Sequence, residues 1–205
     1  MKILELFAGS RSIGKVGEKL GHEVFSSDIE QFGGIDYVED ILNFDYNMVP
    51  FVPDMIWASP PCQGFSVAAI GKNWNFDNTP KTDSACLGIK LAKKTIEIIE
   101  YYQILNPYLT WFIENPRGKL RKMDFMLNYK RHTVTYCQYG DGRMKPTDVW
   151  TNSSSWVPKS ICKNGDTCHT SAPRGSKTGT QGLVGDYERS KIPEKLCEEV
   201  VKSLC

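Results

Sequence analysis

The chain of 205 residues is long enough for one domain with a substantial core and at most a small appendage. With 40% hydrophobic and 24% charged residues it reads as an ordinary globular protein, and it lacks the roughly 18-residue apolar run of a transmembrane helix. A net charge of +1 excludes a global field for nucleic acid, and seven widely spaced cysteines without an export signal predict reduced thiols in a cytoplasmic setting.

Any basic nucleic-acid site must therefore be local. Arg121 with Lys122, Lys130 with Arg131, and Arg143 with Lys145 are the candidate pairs, each equally readable as solvated surface. In chain order, "KILELF" is a short buried strand and "SIGKVGEKLG" a helix stopped by Gly21. "FAGSRSIG" sets glycines between them. It is open to two readings: a tight turn, or a backbone that approaches a nucleotide-like ligand at Gly9 while the helix start donates its N–H groups. "HEVFSSD" is a second strand ending in Asp28, an acid suited to ribose hydroxyls or to capping a helix.

"DMIWASPP" is a further strand, ended by prolines because proline cannot donate to a sheet ladder. Cys62 follows at once, a thiol that is either reactive or inert packing. Residues 66 to 86 show no sustained period and predict a long loop, in which Trp74 and Asn75 could close over a substrate. From Gly88 to Leu105, Ile89, Ala92, Ile96, Ile99 and Tyr102 recur at helical steps. "LTWFIENP" is the next strand, ending in Glu114, which is open to a site role or a surface ion pair.

"HTVTYCQY" and "DVWTN" read as a late strand pair around a glycine turn. Residues 153 to 182 are rich in Ser, Gly, Lys and Thr and predict a loop-built insertion. Within it Cys162, Cys168 and His169 are potential zinc ligands, but their spacing matches no two-by-two pattern and no fourth ligand is evident. Ordinary loop cysteines, and no metal, are expected. "EKLCEEVVKSL" closes the chain as a helix with Leu196, Val200 and Leu204 on one face.

Strands alternating with helices predict a parallel sheet covered on both faces, with ligands beyond the carboxyl ends of the strands. Phe7 to Gly9, Asp28, Pro60 to Cys62, and Glu114 to Pro116 all fall at such ends. A thiol nucleophile beside a protonatable carboxyl is a recognisable chemical pair.

These motifs resemble those of the C5-cytosine DNA methyltransferases. "FAGSRSIG" is similar to their first cofactor motif, "PPCQGFS" to their catalytic motif, and "ENPR" to their Glu-Asn motif. "CQYGDGRMKPTDVW" resembles the motif that carries Gln-x-Arg-x-Arg, with Arg143 and Lys145 as the equivalents. The likeness spans residues 1 to 150 well and 185 to 205 weakly. Pro116, Thr147, Arg189 and Ser190 depart from the family pattern.

The resemblance implies an α/β, doubly wound, Rossmann-like S-adenosylmethionine-dependent methyltransferase sheet with helices on both faces. Residues 1–152 and 185–205 would form it, and 153–184 would be a reduced target-recognition insertion. The catalytic residues it implies are Cys62, Glu114, Arg143 and Lys145, with Arg143 as the cation that lowers the thiol pKa. Phe7, Ala8, Gly9, Ser10, Asp28, Ile29, Asp40, Ile41 and Pro60 would hold S-adenosylmethionine, and Asp40 reads equally as a turn cap. Gln63, Gly64, Ser66, Asn115, Pro116, Arg174, Lys177 and Gln181 would meet the substrate.

The implied reaction is methyl transfer to cytosine in DNA by a cytoplasmic, monomeric enzyme of compact phage type, with no membrane partner. The same chemistry on tRNA-like RNA is one alternative. A catalytically silent DNA-binding relative is another, favoured by the departures. A cysteine hydrolase lacks a histidine near the thiol in sequence, since His22, His132 and His169 all lie elsewhere.

Overall fold

The computed structural model describes residues 1–163, 165–171, 183 and 185–205. Its strands are β1 (Lys2–Leu6), β2 (Glu23–Asp28), β3 (Tyr37–Val38), β4 (Met55–Ala58), β5 (Thr110–Pro116), β6 (Arg131–Thr135) and β7 (Pro146–Thr151). Its helices are α1 (Ser12–Lys19), α2 (Ile70–Asn73), α3 (Asp83–Leu105), α4 (Asp186–Ser190) and α5 (Glu194–Lys202). The strands form one sheet in the order β3-β2-β1-β4-β5-β7-β6. The first five run parallel, whereas β7 is antiparallel to both β5 and β6. The expected parallel sheet therefore carries an antiparallel edge. Only residues 136 to 145 join β6 to β7, too few for the crossover that a parallel return requires.

Both faces of the central strands are covered, so alternate residues are apolar in both directions. Ile3, Met55, Trp57 and Phe112 pack toward α1 and α5, while Leu4, Leu6, Ile56, Ala58 and Ile113 pack toward α3. Glu5 interrupts this pattern: it lies under α1, where Gly14 makes room for it. A Cβ on Gly14 would stand 2.6 Å from Glu5 Oε2. Strand order reverses between β1 and β4, and a crevice opens at such a switch point. The Phe7–Arg11 turn and the Pro60–Phe65 loop leave the sheet at that place.

Two regions are more ordered than composition suggests. α3 begins at Asp83, with Thr82 Oγ1 accepting from Ala85 N at 3.3 Å and Asp83 in its first turn. The stretch before it holds a short 3-10 turn (Val67–Ala69), α2, and a bridge between Trp74 and Pro80. Its Trp74 is buried against Phe65, with ring centroids 5.8 Å apart, and so cannot close over a substrate.

Residues 153 to 162 likewise pack onto the sheet through Trp156. Trp156 is buried, packs edge-on against Phe112 at 5.7 Å, and donates from Nε1 to Glu199 Oε1 at 3.1 Å. Trp156→Ala is expected to lower unfolding free energy by about 3–5 kcal/mol in urea titrations. Val157→Ala, at a position 79% exposed, should change it by less than about 0.5 kcal/mol. Equal small effects would show that the segment is a loose insertion.

Candidate active site

The loop after β4 is held by its carbonyl oxygens. Asn115 Nδ2 donates to Pro60 O at 2.8 Å, and the N–H groups of Phe65 and Ser66 both donate to Cys62 O at 2.9 Å. Trp74 Nε1 donates to Gly64 O at 2.7 Å, and Asn73 Nδ2 reaches both Gln63 O and Gly64 O at 3.2 Å. Lys119 N closes the set on Phe65 O at 2.8 Å. Gly118 permits this approach, since a Cβ there would stand 2.3 Å from Phe65 O. Cys62 is thus carried half-buried on a rigid turn, with Pro60 and Gly64 buried beneath it, Ser66 half-buried, and Pro61 and Gln63 facing solvent.

Glu114 lies two residues before the end of β5, the strand beside β4, and is 5% exposed. Burial pushes its carboxyl pKa above the usual carboxylate range. The positive charge of Lys145 and hydrogen bonds from Tyr136 and Ser59 pull only partly the other way. The Tyr136 hydroxyl donates to Glu114 Oε1 at 3.1 Å. Lys145 sits over the Tyr136 ring at 4.6 Å and donates to Arg189 O at 2.9 Å. Burial lowers its ammonium pKa, while negative charge on Glu114 and Cys62 acts to raise it. The charge of Lys145 therefore interacts with both the carboxyl and the thiol.

Arg143 has a different place from the one expected. Its Nε bonds Asp141 Oδ1 at 2.9 Å and Oδ2 at 3.0 Å, its Nη2 bonds Oδ2, and its Nη1 donates to Arg189 O at 3.4 Å. Asp141 neutralises it, whereas the charge of Lys145 interacts with both Glu114 and Cys62. Tyr136 was not legible as a site residue. It precedes a cysteine in "TYCQY", with no local signal that its hydroxyl would meet a strand end twenty-two residues earlier in sequence. Pro116 pairs with Thr147 across β5 and β7, and Asn115 turns its amide N–H to the Cys62 loop with its Oδ1 buried and unpartnered among the described residues.

At the crevice, Phe7, Gly9 and Arg11 all have positive φ (54°, 47° and 56°), so the turn climbs away from β1 before α1 starts. Asp28 holds it: Oδ2 accepts from Gly9 N at 2.8 Å and Oδ1 from Glu30 N at 3.0 Å, which leaves lone pairs for further donors. Ala8 and Ser10 are buried in this turn, and Ser12 Oγ accepts from Ile192 N at 3.1 Å, which fastens the C-terminal segment to it. The start of α1 is not an open anion site. Glu5 Oε1 accepts from Ile13 N at 3.0 Å and Glu5 also takes the Gly14 N–H.

Asp40 takes its turn-capping role, accepting from Leu42 N at 3.0 Å, and Ile41 is buried in the core and not in the crevice. Arg174, Lys177 and Gln181 lie outside the described residues. Arg121 is bonded to buried Asp148 and to Thr133.

No family model matches the chain. It is 32% identical over 176 residues to the Probable DNA (cytosine-5)-methyltransferase of Frog virus 3 (isolate Goorha), covering 82% of this chain and 78% of that protein. The chain belongs to the DNA (cytosine-5)-methyltransferase family. Its fold matches a crystal structure of a DNMT2 mutant from Spodoptera frugiperda at a TM-score of 0.51 and 18% identity, over 80% of this chain and 56% of that one. The chain thus spans a little over half the length of that solved structure.

Cytosine-5 methyltransferases draw their methyl group from S-adenosylmethionine, and the crevice fits such a donor. Ile29 leaves 65% of its surface open directly after Asp28, an apolar face beside a carboxylate, as an adenosine group requires. Among the described helices none is long and apolar enough to cross a membrane.

Burial raises the Glu5 pKa to about 7, against the hydrogen bonds from Gly14, Ser26 and Ile13 that lower it. Because the folded state holds this proton more tightly than the unfolded chain, its contribution to stability is complete below about pH 4.5 and is lost toward pH 7. Urea titrations of the chain and of Glu5→Gln should therefore diverge across that window, with the wild type losing on the order of 3 kcal/mol relative to the variant. Parallel curves would remove Glu5 as the source.

Proposed function

We propose that this chain methylates C5 of cytosine in DNA through a transient bond between Cys62 and C6 of the base. What supports this reading is the placing of Cys62 in the pinned loop after β4 and of Glu114 near the end of the adjacent parallel strand β5, with Lys145 held over the ring of Tyr136, whose hydroxyl meets Glu114. The positive charge of Lys145 favours the thiolate, the form that attacks. Cys62 Sγ adds to C6, and the C5–C6 electron pair moves to C5. Glu114, kept protonatable by burial, hydrogen-bonds N3 and the exocyclic amine and so stabilises the charge that builds on the ring.

The bound sulfonium cofactor supplies an electrophilic methyl group to C5. Loss of the C5 proton to a base then re-forms the C5–C6 double bond as the C6–S bond breaks and returns the thiolate. The hydrogen bonds on the carbonyls of residues 60 to 65 hold Sγ in an attacking position, which is worth several powers of ten in rate.

A base inside a duplex cannot reach this crevice, so it must leave the stack. Phe76, fully exposed on the loop that Trp74 anchors, and Val67, 66% exposed, are the apolar groups that would meet the opened duplex. Arg174, Lys177 and Gln181 in the 153–184 segment are proposed to read the target.

Bisulfite sequencing of DNA from cells expressing the chain should show methylated cytosines in a short fixed context, and none with Cys62→Ser. In purified assays Glu114→Gln should lower kcat by about 10²–10³-fold. Transfer to RNA with none to DNA would overturn the substrate assignment, and full activity in Cys62→Ser would overturn the mechanism.

A further inference from the structure

Three cysteines and a histidine, drawn from two distant segments, meet beside the active site. Cys137 lies on a short 3-10 turn (Tyr136–Tyr139) that follows β6, while Cys162, Cys168 and His169 lie on the strap that passes over it. The four ligand atoms all lie within 4.8 Å of one another. We propose that Cys137, Cys162, Cys168 and His169 bind one zinc ion as a closed structural site.

The distances suit a tetrahedron. Zinc bonds of about 2.3 Å to sulfur and 2.0–2.1 Å to nitrogen imply edges of about 3.8 Å between sulfurs and about 3.6 Å from sulfur to nitrogen. His169 Nδ1 stands 3.8 Å from Cys162 Sγ and 3.6 Å from Cys168 Sγ, and Cys137 Sγ is 3.6 Å from Cys168 Sγ. The Cys137–Cys162 pair is closer, at 3.1 Å, yet far beyond the roughly 2.05 Å of a disulfide. Three thiolates and one neutral imidazole form a donor set that zinc takes in structural sites, with no position left for substrate.

The surroundings support bound ligands. Gln138 Nε2 donates to Cys168 Sγ at 3.5 Å, and Cys162 N is fixed on Thr135 Oγ1 at 3.0 Å. Between Lys163 and Ser171 the described residues are polar or small and, apart from His169, exposed. That strap buries almost nothing apolar, and apart from the Thr170 N–H bond to Gly142 O at 3.1 Å the four-residue cluster is its link to the core, a situation in which metal binding supplies the stabilisation. Binding would release the three thiol protons to solvent. The ion would also hold the turn that starts at Tyr136, whose hydroxyl meets Glu114, so the clip is a positioning element for the carboxyl.

The fourth ligand is what the spacing of "CKNGDTCH" does not reveal. It comes from Cys137, in the motif before the β6–β7 return.

The test is elemental analysis of the full chain purified without chelators. About one zinc per chain is expected, falling below about a tenth in Cys162→Ser and in His169→Ala, and staying at about one in Cys86→Ser. Cobalt exchanged into the wild type should show thiolate-to-metal charge-transfer absorption. Should the ligand variants fail to fold, thiol counting on the native wild type decides: a strong chelator should expose three further reactive thiols. Wild-type protein without zinc whose thiol reactivity ignores chelator, a Cys137–Cys162 disulfide in peptide mapping, or full zinc in Cys162→Ser would each overturn the site.

Discussion

The geometry of this protein depends on hydrogen bonds to five carbonyls within one six-residue loop, those of Pro60, Cys62, Gln63, Gly64 and Phe65. Their donors come from β5, α2, the residue after it, the turn after β5, and the loop itself. A nucleophile at a strand end is useful only if it does not wander, and here the backbone is fixed from several directions at once. Prolines restrict the entry to this loop, but the donors decide where it sits. Phe65, fully buried under Gly88 and against Trp74, adds an apolar anchor to the polar ones.

The antiparallel edge of the sheet has a matching role. Pairing Thr147 with Pro116 brings the residues just before β7 to the carboxyl end of β5. Lys145, at an uncommon φ of 27°, is thereby held over the ring of Tyr136, where its charge acts on Glu114. Behind it, the buried Asp148 is satisfied by Arg121 and Thr133. In so buried a setting each unpaired charge would be costly, and the arrangement leaves each with a partner. Arg143 obeys the same rule: placed beside Asp141, it stabilises the turn.

Much of the architecture was legible because it rests on short-range rules. The strands at "KILELF", "HEVFSSD", "DMIWA" and "TWFIENP" are apolar runs bounded by glycine, acid or proline, and each became a sheet strand. The region before α3 was misread because its many polar residues resemble a loop, although Thr82 and Asp83 carry a helix start. Trp74 shows the limit plainly. An aromatic in a polar segment reads as a mobile cover, yet its indole N–H found Gly64 O and its ring found Phe65, partners ten and nine residues away.

The sequence by itself determined the fold class and that Cys62 and Glu114 lie at the carboxyl edge of the sheet, because strand ends are marked by local residues and a doubly wound sheet collects those ends along one edge. Only the tertiary structure decided which groups surround Glu114, which aspartates are already engaged, and which cysteine joins the cluster of Cys162, Cys168 and His169. Those outcomes turn on contacts between residues far apart in the chain. Charge pairing and ligand geometry depend on distances of a few ångströms, which sequence spacing does not encode.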